Sequence, residues 1–250
     1  MKQIRMMALM GMTLMMGMVM TACLGSDDDD NKTTQDVIAL YENGLLQDAS
    51  GVVLEPTNPA YLPAANGIYS MTMEFDPTSV SGNKLTVTIK ETPYNLTNNR
   101  VIRDDEAVGN INLYAVEYNN GYTYLRPELF NEDYIMVPFI FWMNDVSIDD
   151  YTTELAKHHF ALFYPNDLTN AEGILNLTII DMVEDPSVDR YKYSYEYQAF
   201  NLKEVISKFK AVNDKLNTIR IWGRVNKNSC DPQEGTTTTE YVDVAYNPLR

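Results

Sequence analysis

An all-β chain carrying a C-terminal antiparallel β-sandwich, with one helix on a connection, is the fold class this sequence predicts. Three observations lead there. Apolar residues recur at every second position in one segment after another. The segments in the second half are separated by Asn, Asp, Gly and Pro at the spacing of sandwich strands. One stretch, opening at Asn201, changes to a helical period.

The elements follow in chain order. Tyr69, Met71, Met73 and Phe75 alternate with Ser70, Thr72 and Glu74, and Leu85, Val87 and Ile89 alternate with Thr86, Thr88 and Lys90, so both stretches are expected to be half-buried strands. Ile111 to Tyr118 is a third strand. Asn119-Asn120-Gly121 then forms a hairpin turn, because Asn and Gly accept positive φ at little cost, and Tyr122 to Leu125 returns antiparallel. Tyr134 to Trp142 is apolar almost throughout and is interrupted by Pro138, which points to a bulge or an edge position. Beyond the acidic stretch Asn144 to Asp150, five more strands are expected at 160–164, 174–183, 191–200, 218–225 and 240–246. Asn201-Leu202-Lys203-Glu204 has the form of a capping box. Leu202, Val205, Ile206, Phe209, Val212 and Leu216 fall on one helical stripe after it. The most plausible division of the chain is at 144–153.

The N-terminus is an address. Lys2 and Arg5 precede an apolar run from Met6 to Met20, the length of a signal-peptide core and too short for a comfortable bilayer span. Met20-Thr21-Ala22-Cys23 resembles a bacterial lipobox, in which the cysteine thiol takes a diacylglycerol before cleavage and the new N-terminus is then acylated. Residues 1–22 are expected to be removed and Cys23 to become the lipidated first residue, with no cofactor beyond that covalent lipid. An ordinary secretory site that happens to contain a cysteine is the alternative. The next residues, Ser26, Asp27, Asp28, Asp29 and Asp30, resemble the acidic export signal that Bacteroidota place after the lipidated cysteine to send lipoproteins to the cell exterior. Adjacent carboxylates repel one another, so residues 23–34 are expected to form a solvated tether. A calcium loop is the poorer reading, because no glycine turn or spaced ligand set accompanies the run.

Composition limits the partners. Nine of the 14 methionines lie in residues 1–20, so the mature chain is not methionine-rich. Loss of Lys2 and Arg5 leaves 17 basic against 35 acidic residues, a formal charge of −18. That balance disfavours nucleic acid, whose phosphates require a clustered basic surface. With Cys23 acylated, Cys230 has no partner for a disulfide within the chain, and the domains must be held by their cores.

Catalytic signatures are scarce. The nearest glycines are six residues apart, which excludes phosphate-cradling G-x-G-x-x-G and Walker loops, and neither G-x-S-x-G nor H-E-x-x-H occurs. His158 and His159 are adjacent, and on a strand they point to opposite faces, so they cannot grip one metal ion together; one inward and one outward is the expectation. Cys230 sits in a turn-like Asn-Ser-Cys-Asp-Pro segment and reads as an inert loop cysteine. Acidic groups such as Asp104-Asp105-Glu106 and Asp149-Asp150 could supply a glycosidase acid and base, but 35 carboxylates produce such neighbours by chance. No catalytic residue and no metal site are assigned.

Tyr191, Tyr193, Tyr195 and Tyr197 occupy alternate places in one strand, opposite Lys192, Ser194, Glu196 and Gln198. The economical expectation puts the tyrosines on the sandwich core and the polar set in water. The competing one is an exposed aromatic strip that stacks on sugar rings or on a partner protein.

Leu46-Gln47-Asp48-Ala49-Ser50-Gly51-Val52-Val53-Leu54-Glu55-Pro56, followed by Tyr61-Leu62-Pro63 and Asn66-Gly67-Ile68-Tyr69, is similar to the start of NigD-like lipoproteins. His158-His159-Phe160-Ala161-Leu162-Phe163-Tyr164, then Leu175 to Ile179, then Ala199-Phe200-Asn201-Leu202, resembles the second half of that family. The resemblance implies an N-terminal barrel like an OB-fold ahead of the β-sandwich, and hence an OB-like domain over 35–148 and a sandwich over 149–250. Together these readings describe an outer-membrane lipoprotein, facing the exterior, that acts as a non-enzymatic binding module. Its partners would be the membrane, through the lipid, and a glycan or a protein. The alternatives are a bacteriocin-immunity protein, suggested by the family association, and a glycan-active enzyme.

Overall fold

The structure, a computed structural model, describes residues 32–105, 108–144, 150–233 and 235–247. Cys23 and the run from Ser26 to Asp30 lie outside the described residues. The described chain forms two compact units, 32–97 and 98–247.

In the first unit, β1 (Thr33–Glu42), β2 (Leu45–Asp48), β3 (Val53–Pro56), β4 (Gly67–Phe75) and β5 (Lys84–Ile89) pair in the order β1-β2-β3-β5-β4, and β4 returns to β1, so the sheet closes into a five-stranded barrel; β6 (Tyr94–Asn95) adds to β4. The expected OB-like barrel is there. Closure uses the full length of β1, from Thr33 opposite Phe75 to Tyr41 opposite Gly67. The stretch expected to be tether therefore already belongs to the barrel at Thr33 and Thr34. Alternation does the rest: Ala39, Leu46, Leu54, Met71, Met73, Val87 and Ile89 fill the interior, while Thr72 faces out and donates to Asp36 at 2.7 Å. The Asp48 to Gly51 turn is held by Asp48 Oδ1, which accepts from the backbone N–H of Ser50 and of Val52, each at 2.9 Å.

The second unit is a nine-stranded curled sheet. Its strands are β7 (Val101–Arg103), β8 (Leu113–Ala115), β11 (Glu128–Leu129), β12 (Tyr134–Met143), β13 (His158–Tyr164), β14 (Ile174–Val183), β15 (Lys192–Asn201), β16 (Thr218–Val225) and β17 (Thr238–Ala245). The expected hairpin around Gly121, which has φ +84°, is present as β9 (Tyr118–Asn119) and β10 (Tyr124–Leu125). The path runs β11-β12-β8-β16-β14-β13-β7, with β15 on β12 and β17 on β16. Antiparallel pairs dominate, but β14 and β16 run parallel. The chain between those two strands contains β15 and helix α2 (Lys203–Val212); the shorter helix α1 spans Tyr151–Leu155.

The division expected at 144–153 falls inside this unit. The reason is pairing: β12, before the acidic stretch, is hydrogen-bonded to β15, after it, along ten residues from Tyr134 opposite Asn201 to Met143 opposite Lys192. An acidic loop between two strands need not separate domains. Pro138 is likewise not at an edge. It pairs with Tyr197 on one side, and on the other it sits between β11, which takes Ile135 and Met136, and β8, which takes Ile140 and Phe141 across a bulge. A residue without an N–H fits that gap in the ladder.

The core lies on one face of the sheet. Phe139, Phe141, Phe160, Leu162, Leu175, Leu177, Ile219 and Ile221 meet there, and Val205, Ile206 and Phe209 of α2 cover them. Each such side chain contributes about 1.5–3 kcal/mol on burial. The helix is shorter than its apolar stripe. It ends at Val212, which is exposed, and Asn213 takes over by donating its side-chain N–H to the carbonyls of Phe209 and Leu168, both at 2.8 Å. The capping box is modified too: Leu202 is the N-cap, Asn201 Oδ1 accepts from Lys203 N at 3.0 Å, and Glu204 pairs with Lys208.

Candidate functional site: an aromatic surface on the second face of the sheet

The register of β12 and β15 decides where the tyrosines go. Ile135, Val137, Phe139, Phe141 and Met143 join the core. Met136, Pro138, Ile140 and Trp142 therefore face the other way. Ala199, Tyr197, Tyr195 and Tyr193 stand opposite those four in the same order, so the tyrosines lie on the second face. Phe200, opposite Ile135, is on the core side, and Ser194 shares that side, its hydroxyl meeting that of Tyr151 at 3.4 Å. The expectation that the tyrosines pack on the sandwich core is thus corrected. Because β12 is buried on both faces it does not choose for its neighbour; Phe200 and Leu202 at the end of β15 enter the core, and strand parity then carries the tyrosines outward.

Exposure rises along the ladder, from Tyr197 at 6% through Tyr195 to Tyr193 at 43% and Tyr191 at 64%. Burial pushes the phenols of Tyr195 and Tyr197 above the usual range. At the open end Tyr193 stacks on Tyr114 of β8 with ring centres 4.2 Å apart and planes 16° from parallel. Its hydroxyl shares a hydrogen bond with that of Tyr118 at 2.8 Å, which, aided by partial burial, pushes its phenol up to about 12. Trp142 backs the group edge-on to Tyr114 at 5.2 Å and is fixed by donating Nε1–H to the Asn226 carbonyl at 3.0 Å. The neighbouring hairpin presents Tyr122, 98% exposed, and Tyr124, whose hydroxyl accepts from Arg126 at 3.0 Å. Rings held by stacking and hydrogen bonds keep their orientation when a ligand arrives, so a partner meets flat apolar faces bordered by hydroxyls.

Tyr114, Tyr118 and Trp142 belong to this surface and were not singled out from sequence. The strand from Ile111 and the strand from Tyr134 were each legible, but that both flank the ladder is a long-range fact with no local signal.

The remaining candidate groups are structural in their contacts. His158 is buried and His159 exposed, as the strand reading expects. His158 Nδ1 lies 2.7 Å from Asp181 Oδ2, inside the core next to Phe141 and Phe160. Nearby, Arg190 donates Nε–H to Glu154 at 3.0 Å and is also paired with Asp185; Lys157 bridges Glu154 and Asp185 at 3.1 Å each. Burial would raise the carboxyls of Glu154 and Asp185, but the hydrogen bonds and charges of Lys157 and Arg190 outweigh it and hold both below the usual range. This network ties α1 to the turn before β15. Asp105 anchors Asn166 through its backbone N–H at 2.7 Å. Glu106 and Asp149 lie outside the described residues. Cys230 is a free cysteine in a loop, and its carbonyl accepts from Asn112 N at 2.8 Å. Among the described residues no group of three His, Cys, Asp or Glu is placed to hold a metal ion, and no helix is long and apolar enough to cross a membrane.

This architecture has solved counterparts. A crystal structure of a candidate lipoprotein from Bacteroides fragilis superposes with a TM-score of 0.73 over 87% of this chain and 100% of its own, at 19% identity. An uncharacterized protein from Parabacteroides merdae does so with a TM-score of 0.52 over 87% and 100%, at 10% identity. At such identities the likeness shows a shared fold. No family model and no curated protein matches the chain.

Proposed function

We propose that this protein is a lipid-anchored component of the bacterial outer membrane, facing the exterior, whose β units form a non-enzymatic binding module with the Tyr114–Tyr118–Tyr193 surface as its contact. The aromatic surface carries the reading. Three rings ordered against one another, with Tyr191 and Tyr122 also exposed, present an apolar patch bordered by hydroxyls. Flat faces with hydroxyl rims suit the apolar faces and ring hydroxyls of a glycan. The lipobox-like Met20 to Cys23 and the acidic run after it support the anchor and the outward address, and the fold shared with a candidate lipoprotein of Bacteroides fragilis is in keeping with them.

A glycan array with the body from residue 24 onward, followed by titration calorimetry on the hits, tests the contact. Tyr193→Ala together with Tyr114→Ala is expected to weaken the best hit by about 1–3 kcal/mol. No hit on the array, or a hit indifferent to both changes, rejects the aromatic surface as the site. The anchor has its own check: metabolic labelling with a fatty-acid probe is expected to mark the wild-type protein and to miss Cys23→Ser.

A further inference from the structure

The second face of the sheet has another feature, on β16. Arg220, Trp222 and Arg224 project from it, since Ile219, Ile221 and Val225 belong to the core. The two arginines differ in their partners. Arg220 grips Asp243 with both edges of the fork, Nε to Oδ1 at 2.6 Å and Nη2 to Oδ2 at 2.8 Å, and lies over the Tyr241 ring at 4.3 Å. Arg224 stands opposite Thr239 instead, and among the described residues it makes no ion pair. Its Nη2 donates to the carbonyls of Gly109 at 2.5 Å and Ile111 at 3.4 Å, while its Nε is buried with no acceptor. Burial pulls its guanidinium below the usual arginine range, yet it stays a cation at any physiological pH.

A cleft of about 300 Å³ adjoins this cation, walled by Val108, Ile111, Ile180, Trp222 and Thr239; Asp181 also lines it, but its carboxylate is engaged by His158 Nδ1 at 2.7 Å. A charge withdrawn from water without a counter-ion destabilises a fold. Here the two carbonyls hold Nη2, while the positive charge has no counter-ion among the described residues and lies beside a largely apolar cleft. A guanidinium is a charge-assisted donor well matched to a carboxylate. We propose that the cleft binds the carboxylate of a compact small molecule, with Arg224 as its counter-charge and Trp222 as an apolar wall. One cation answers one negative charge. A phosphate dianion would leave a charge uncompensated, because Arg220 is occupied by Asp243, in a chain whose formal charge is already −16.

Calorimetry on the whole body with glucuronate and with phenylacetate tests this, glucose and phenylethanol being the uncharged counterparts. At least one acid is expected to bind about tenfold more tightly than its counterpart, and which one does so distinguishes a sugar acid from an apolar acid. Arg224→Gln and Arg224→Lys are expected to remove that advantage. Thr239→Trp, at an exposed rim position, fills the cleft while keeping the arginine and is expected to remove it as well, with the thermal transition unchanged; it decides the matter if the arginine variants fail to fold. Acids that bind no better than their counterparts, or binding indifferent to Thr239→Trp, would overturn the proposal.

Discussion

The barrel and the curled sheet solve the same problem, covering the apolar faces of strands, in different ways. In the barrel each strand has one face to hide, and closure on itself hides it: on β4, Tyr69, Met71 and Met73 are buried while Ser70, Thr72 and Glu74 are half-exposed. In the sheet β12 is buried at all ten positions, and its two faces have different neighbours. A strand that is apolar on one side can be placed in only one way. A strand apolar on both leaves its partners free to place either face outward, and it is beside β12 that the aromatic surface forms.

The comparison can be broken most forcefully in the cores. Phe139→Ala in the sheet, at a fully buried site, is expected to cost about 3–5 kcal/mol, and Met73→Ala in the barrel about 2–5 kcal/mol. Urea unfolding followed by the fluorescence of Trp142 and Trp222, both in the sheet unit, reads these out. If the two units unfold independently, only the first change shifts the midpoint of that signal. A smaller effect is expected beside the pairing of β16 with β8. A Cβ at Gly223 would meet Val116 Cγ2 at 2.7 Å and Leu113 Cδ1 at 3.2 Å. Gly223→Ala should cost about 1–3 kcal/mol by crowding, whereas Gly44→Ala in the barrel has open space and acts only through its positive φ.

The smallest effects are those of pH, and they separate the network from the aromatics. Glu154 and Asp185 are held below their usual values of 4.5 and 3.8. Their contribution is complete above those values and is lost as the pH falls through them toward the folded-state values. The phenols of Tyr151 and Tyr193 are raised from 10.0 to about 12, so their contribution is complete below pH 10 and lost as the pH rises toward 12. Thermal melts across both windows are expected to show Lys157→Met flattening the acid limb and Tyr193→Phe flattening the alkaline one. A variant that alters the opposite limb contradicts the assignment.

Much of the fold was legible because its signals are local. The strands at Ile174–Val183 and Thr218–Val225 and the hairpin at Gly121 follow from alternation and turn chemistry within a few residues. The domain division was not legible, because it depends on β12 pairing with a strand some fifty residues later across an acidic loop that resembles a linker. The candidate surfaces were half legible. The tyrosine period announced a strand with an aromatic face, but Tyr114 and Trp142 joined it only through pairing, and Arg224 gave no sign of being without a counter-ion, since that depends on Thr239 rather than Asp243 standing opposite.

By itself the sequence determined the all-β character and the acidic balance of the chain, because composition and short-range period set what each segment can bury and what must stay in water. Tertiary structure alone decided which face of the ladder turned outward, which rings gathered around Tyr193 and which arginine was left with a cleft. Those outcomes depend on register between strands distant in sequence, and a shift of one residue would reverse every face.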